Sequence, residues 1–160
     1  MKKIVQILLA MLTLTQVYAI ELPKNCHLVG IKSENLKLKT EKDRVILIHN
    51  ISDSDIYLSH VSSNDPGAQA GWTSRVDKNK WSALKLGKME IRFQCVEVKP
   101  GHEQQISCQN ILSVCRVAPI EQPKNGNGSY WVTENQTLSN MLEAVSSRGF
   151  QLTADDEDNG

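Results

Sequence analysis

Apolar and polar positions alternate along much of this chain, but the period changes from place to place. Met89, Ile91, Phe93 and Cys95 take every second position, with Glu90, Arg92 and Gln94 between them. A period of two sends one set of side chains into a core and the other into water, which predicts a half-buried strand. Leu36-Lys-Leu-Lys39 alternates the same way with its lysines outward, as suits an edge or solvated strand. Val45-Ile-Leu-Ile48 does not alternate at all. A continuous apolar run of that length predicts a central strand buried on both faces. Further on the period turns helical, since Leu138, Met141, Leu142 and Val145 are spaced i, i+3, i+4, i+7. Thr133 with Gln136 fits a capping box at the start of that helix, and Gly149 fits the C′ position after Arg148.

Turn-forming residues divide these runs. Pro100-Gly101 interrupts the strand that contains Cys95, and a second β-prone run extends from Gln104 to Val117. Folding back about Gly101 sets Cys95 opposite Cys108, where the Cβ atoms of an antiparallel pair come within reach of a disulfide. The runs Arg44–Asn50 and Asp55–Val61 flank an Ile-Ser-Asp-Ser segment and read as a second hairpin. Further strands are expected over 26–32, 72–76, 81–86, 129–132 and 150–152, with loops over 62–71 and 119–128. Short strands, Gly/Pro/Asn turns and one terminal helix predict a mainly β fold. Its form is an antiparallel β sandwich or open barrel with one C-terminal helix packed on it.

Composition changes the picture in two ways. The chain opens Met1-Lys2-Lys3, continues through an apolar stretch from Ile4 to Leu14, and reaches Val17-Tyr18-Ala19. A basic head, a short apolar run and a small residue at the cleavage point make a secretory signal peptide over residues 1–19. The run is too short for a membrane span, so no stable span is expected after cleavage. One domain over 20–153 then remains, followed by a disordered acidic tail over 154–160. The four cysteines all fall in that exported part, and an even count there predicts two disulfides among three possible pairings. The hairpin favours Cys95–Cys108, which leaves Cys26–Cys115 to tie the first strand to the core. The destination is the periplasm, or the medium beyond it.

Charge excludes one class of partner. Lysine plus arginine and aspartate plus glutamate both number 18, without a basic cluster, so no nucleic-acid footprint is present. Candidate chemistry is sparse. If the second hairpin forms, His49 and His60 stand roughly 13 Å apart along its ladder, too far to share a metal ion. His102-Glu103 opens like a zinc-protease signature but lacks the second histidine. Neither a Cys-x-x-Cys pair, nor a Gly-x-Ser-x-Gly elbow, nor a phosphate-binding glycine loop occurs. No enzyme, cofactor or metal is expected. Aromatic residues are the better lead: Trp72, Trp81, Tyr130 and Trp131 fall in or beside loops, as partner-binding rings do. Three Asn-x-Ser/Thr acceptor motifs start at Asn50, Asn127 and Asn135, and a bacterial-style signal peptide gives them no weight.

Several landmarks stand in one order. They are Pro23-Lys-Asn-Cys26, Trp81-Ser-Ala83, Phe93-Gln-Cys95, Ile106-Ser-Cys108, Val114-Cys115, Gly128-Ser-Tyr-Trp-Val-Thr-Glu-Asn135 and Arg148-Gly-Phe-Gln-Leu152. Together with the signal peptide, this order resembles the enhanced entry protein EnhB family of Legionella-type bacteria. The resemblance spans nearly all of the exported part, although the acidic tail departs from it. It implies a periplasmic or secreted protein that supports entry into, or survival in, host cells, with a protein partner in the periplasm or at the host interface. Peptidoglycan-associated proteins are among the companions it implies. It supplies the four-cysteine frame and no catalytic residues. Two rivals are an inhibitor of host lysozyme, because Asn127-Gly-Ser-Tyr130 is similar to the Ser-Gly-x-x-Tyr loop of such proteins, and a cell-envelope hydrolase.

Overall fold

A computed structural model describes residues 22–61, 69–121 and 130–153, and within these not the side chains of 69–72, 119–121, 130–132, 151 and 153. The segment expected to be a signal peptide, the acidic tail and the acceptor motif at Asn127 lie outside the described residues. Eleven strands and one helix follow in order among the described residues: β1 (His27–Leu28), β2 (Leu36–Thr40), β3 (Arg44–Asn50), β4 (Asp55–Val61), β5 (Gln69–Val76), β6 (Trp81–Leu86), β7 (Met89–Lys99), β8 (His102–Ile106), β9 (Leu112–Glu121), β10 (Tyr130–Gln136), α1 (Leu138–Ser147) and β11 (Gln151–Thr153). They form two antiparallel sheets. One runs β1-β9-β3-β6-β10 with β11 also on β9, and the other runs β2-β7-β4-β5 with β8 also on β7. The expected β-rich sandwich with a C-terminal helix is the fold.

Burial follows the periods in the sequence. Along β2 the lysines are exposed and Leu36 and Leu38 buried, and β2 is an edge strand. Along β3 the apolar run is buried throughout, because β3 sits between β9 and β6 and both faces of its sheet are covered. Ile46 and Ile48 join Leu58, Ile91 and Phe93 in the core between the sheets. Val45 and Leu47 point the other way, into a second core with Met141 and Val145 of α1 and with Phe150. Each fully buried side chain of this size contributes about 1.5–3 kcal/mol of transfer free energy.

The helix ends as its sequence directs, and starts later. Thr137, not Thr133, is the N-cap, and its side chain accepts from the Asn140 N–H at 3.3 Å. Thr133 is still inside β10, whose ladder extends to Gln136 opposite Trp81. At the other end Gly149 has φ 86°. Its N–H donates to Ser146 O at 2.9 Å and the Phe150 N–H to Val145 O at 3.3 Å, the paired bonds of a Schellman motif. The side chain of Phe150 returns to the helix-side core beside Val145.

Three connections differ from the sequence reading. Strands β3 and β4 do not form a hairpin, since β3 pairs with β6 and β9 while β4 pairs with β5 and β7. The segment 51–54 is an arch between the layers, and turn composition does not distinguish an arch from a hairpin. Asn50 makes the difference. Fully buried, it donates through Nδ2 to Ser54 O at 2.8 Å and to Val76 O at 2.9 Å, which locks the two layers together. The β7–β8 hairpin is real, but it turns tightly at Pro100-Gly101, with Lys99 opposite His102 and Gly101 at φ 72°. Cys95 therefore faces Ile106. A shift of two positions keeps every side chain on its face, so Cys108, just past β8, still reaches Cys95. The second β-prone run is two strands: β8 stays with β7, and β9 crosses into the other sheet. Residues 69–71 and 119–121, read as loop, belong to β5 and β9.

Candidate aromatic seam between the sheets

Strands β5 and β10 are edges of different sheets, and they lie beside each other along one side of the sandwich. One end of this seam is fastened by side chains. The Asp77 N–H donates to Asn135 Oδ1 at 2.8 Å, and Asn135 Nδ2 donates to Asp77 Oδ2 at 2.8 Å. Asn135 has φ 52°, a left-handed conformation that asparagine tolerates better than most residues. It interrupts the ladder of β10 on β6 between Thr133 and Gln136, and its N–H reaches Ser82 Oγ at 3.2 Å.

The fastening is a charged cluster. Arg75 donates through Nε to Asp77 and through a terminal nitrogen to Asp55, both at 2.6 Å. Asp55 also accepts the Lys78 N–H at 3.0 Å. The hydrogen bond from Asn135, reinforced by Arg75, holds the Asp77 carboxyl below the ordinary aspartate range. Asp77 and then Asp55 raise Arg75 above its usual value. Sequence reasoning missed this cluster. Asp55, Arg75 and Asn135 are far apart in the chain, and only the pairing of Tyr57 with Arg75 across β4 and β5 brings the first two together.

Both edge strands run toward this fastening. Trp72 lies five residues before Asp77, and Tyr130 and Trp131 lie five and four before Asn135. At the rise of a strand Trp72 stands roughly 17 Å from the tie. The register shifts in β10 bring Tyr130 and Trp131 nearer to it: they lie opposite Lys85 and Leu84, three and two positions along β6 from Ser82, which the Asn135 N–H reaches. The side chains of all three aromatic residues lie outside the described residues. On its other side β10 pairs Tyr130 with Lys85 and Trp131 with Leu84 of β6.

Trp81 is a different case and corrects the sequence reading. It is 3 % exposed and belongs to the helix-side core, because β6 is an inner strand buried at every position. A ring there packs and cannot meet a partner. His49, opposite it across β3 and β6, stacks on it with centroids 4.3 Å apart and planes 4° from parallel. Burial lowers the His49 pKa against a hydrogen bond with the Asn79 backbone. Its Nδ1 is buried without a partner.

The other candidate groups are scattered. His49 and His60 lie in different sheets, and His60 tilts against Phe93 with centroids 6.1 Å apart. Among the described residues no group of three His, Cys, Asp or Glu side chains could hold a metal ion. The acceptor motif at Asn50 is occupied by structure: Asn50 Oδ1 accepts the Ser52 N–H at 3.0 Å and the Ser52 hydroxyl at 2.6 Å.

All four cysteines are cross-linked, as Cys26–Cys115 and Cys95–Cys108, with Cα separations of 5.3 and 5.4 Å. Two disulfides fit a compartment that oxidises thiols. No helix among the described residues is long and apolar enough to cross a membrane. No family model matches the chain, and no curated protein or solved structure matches it either.

Proposed function

We propose that this chain is a non-enzymatic accessory protein, exported to the periplasm or secreted. On this reading it binds a protein partner of the envelope or the host through the seam between β5 and β10. The observation that supports the proposal is that β5, which carries Trp72, and β10, which carries Tyr130 and Trp131, are adjoining edge strands of different sheets. Aromatic rings grouped on a rigid frame give large contact area at low entropic cost. The charged tie of Asp55, Arg75, Asp77 and Asn135 would fix the spacing of the two strands. Export rests on the signal-peptide pattern and agrees with two closed disulfides. A role in host-cell entry or intracellular survival is what the resemblance to the EnhB family implies, and that family's peptidoglycan-associated companions are the first partners to try.

The test uses oxidised full-length protein as bait for envelope extract under non-reducing conditions. Wild type is expected to retain a specific partner, Lys39→Ala to retain it equally, and the triple variant Trp72→Ala, Tyr130→Ala, Trp131→Ala to lose it at least ten-fold. Equal retention by the triple variant would move the interface elsewhere. Hydrolysis of peptidoglycan by the purified protein would overturn the non-enzymatic reading altogether.

A further inference from the structure

The cross-links are nested. In chain order the first cysteine, Cys26, pairs with the last, Cys115, across a separation of 89, while Cys95 and Cys108 pair across 13. The change of sheet between β8 and β9 imposes this order. Cys108 is buried between the sheets with Cys95 and Phe93. Only seven residues later, Cys115 opens on the opposite face of the other sheet, in the helix-side core with Cys26 packed against it. The folded protein therefore keeps Cys108 and Cys115 on different sides of a sheet.

Before the sheets form, nothing separates them. Closure cost rises with loop length, so the seven-residue loop from Cys108 to Cys115 closes at least as readily as the native loop of 13. The native loop of 89 closes roughly twenty-fold less often than the loop of 13. Synthesis order acts in the same direction, because Cys26 first meets Cys95 as the chain emerges. Chain statistics favour Cys108–Cys115 and order of appearance favours Cys26–Cys95, which together are the consecutive pairs. Neither exists in the fold.

We infer that maturation of this chain passes through disulfide exchange, and that the chain is a substrate of a thiol–disulfide isomerase of the dithiol class. The isomerase thiolate attacks Cys108 Sγ in a Cys108–Cys115 disulfide, that S–S bond breaks, and Cys115 leaves as the thiolate. The Cys115 thiolate attacks Cys26 Sγ in the Cys26–Cys95 disulfide, forming Cys26–Cys115 and releasing the Cys95 thiolate. That thiolate attacks Cys108 Sγ in the mixed disulfide, forming Cys95–Cys108 and releasing the isomerase thiolate, so both pairs are exchanged with no net oxidation. The burial of Cys95 and Cys108 between the sheets drives the exchange forward, since only the native pair is compatible with the closed core.

The experiment starts from the reduced, unfolded full chain, diluted into oxidised glutathione with or without a purified thioredoxin-fold dithiol isomerase. Samples are quenched with acid over time and their disulfides mapped by mass spectrometry of unreduced peptides. Without isomerase, Cys108–Cys115 is expected to exceed Cys95–Cys108 at early times. With it, the native pairs are expected to form at least five-fold faster. In the Cys26→Ala, Cys115→Ala variant only one pair remains, and the isomerase is expected to change its formation less than two-fold, whether or not that variant folds. Direct appearance of both native pairs without a Cys108–Cys115 species would overturn the inference. So would an unchanged rate in the wild type, or an equal acceleration in the double variant. The outcome does not depend on the binding role of the aromatic seam.

Discussion

One sheet of this sandwich is covered on both faces, while the other, among the described residues, is covered on one. In the first, β3 and β6 are buried at almost every position, since Ile46 and Ile48 meet the facing sheet while Val45 and Leu47 meet α1 and Phe150. In the second, β2 and the first half of β7 alternate, with Lys37 and Glu90 forming an exposed ion pair at 3.0 Å on the outer face. What differs is the number of layers against them, and an added helix is enough to turn an alternating strand into a continuous apolar run.

Glutamine substitutions break this comparison most severely. Leu47→Gln and Ile48→Gln should each cost on the order of 4–6 kcal/mol, because both faces of β3 are dry and neither offers the amide a partner. On β2 Leu38→Gln, at a buried position, should cost as much, while Lys37→Gln should stay within about 1 kcal/mol, as exposed ion pairs do. Urea unfolding of the four variants measures the contrast, and equal costs at positions 37 and 38 would contradict it. Next in size is Phe150→Ala, which empties the helix-side core and should cost about 3–5 kcal/mol by the same measurement. Gly149→Ala is smaller. No atom lies within 4 Å of the added Cβ, so only the left-handed backbone at φ 86° resists, by about 1 kcal/mol.

The smallest effect is electrostatic and belongs to the doubly covered sheet. Burial depresses the pKa of His49 below its ordinary value of 6.5, so the unfolded chain binds its proton more readily than the folded one. The stability this contributes is fully present above about pH 6.5 and falls as pH drops from there through the folded-state pKa. His49→Gln should flatten that part of the stability–pH curve. Proton NMR of the His49 ring should show the lowered midpoint directly, and a midpoint at or above 6.5 would contradict the burial argument.

How much of this was legible before the structure depends on range. Periodicity alone placed β2, β3, β7 and α1, because burial and local geometry write themselves into neighbouring residues. The cross-link Cys95–Cys108 was legible because a hairpin is a local object. Layer assignment was not. The 51–54 segment looks the same as a hairpin turn or an arch, and it is the reach of Asn50 to Val76, 26 residues away, that selects the arch. Trp81 was misread for a related reason: its position beside a turn is local, whereas its burial comes from β3, β10 and α1 closing around β6. The tie of Asp55, Arg75, Asp77 and Asn135 left no signal in the sequence, since each residue also suits a solvated surface.

The central claim is that the protein acts by presenting the β5–β10 seam. Its most direct test is a photo-crosslinking amino acid placed at position 72 or 131, and at 39 on the opposite edge, in the cell that makes the protein. Adducts to one defined protein at 72 and 131, with none at 39, are the predicted result. Adducts of equal yield at all three positions, or none at 72 and 131, would contradict it.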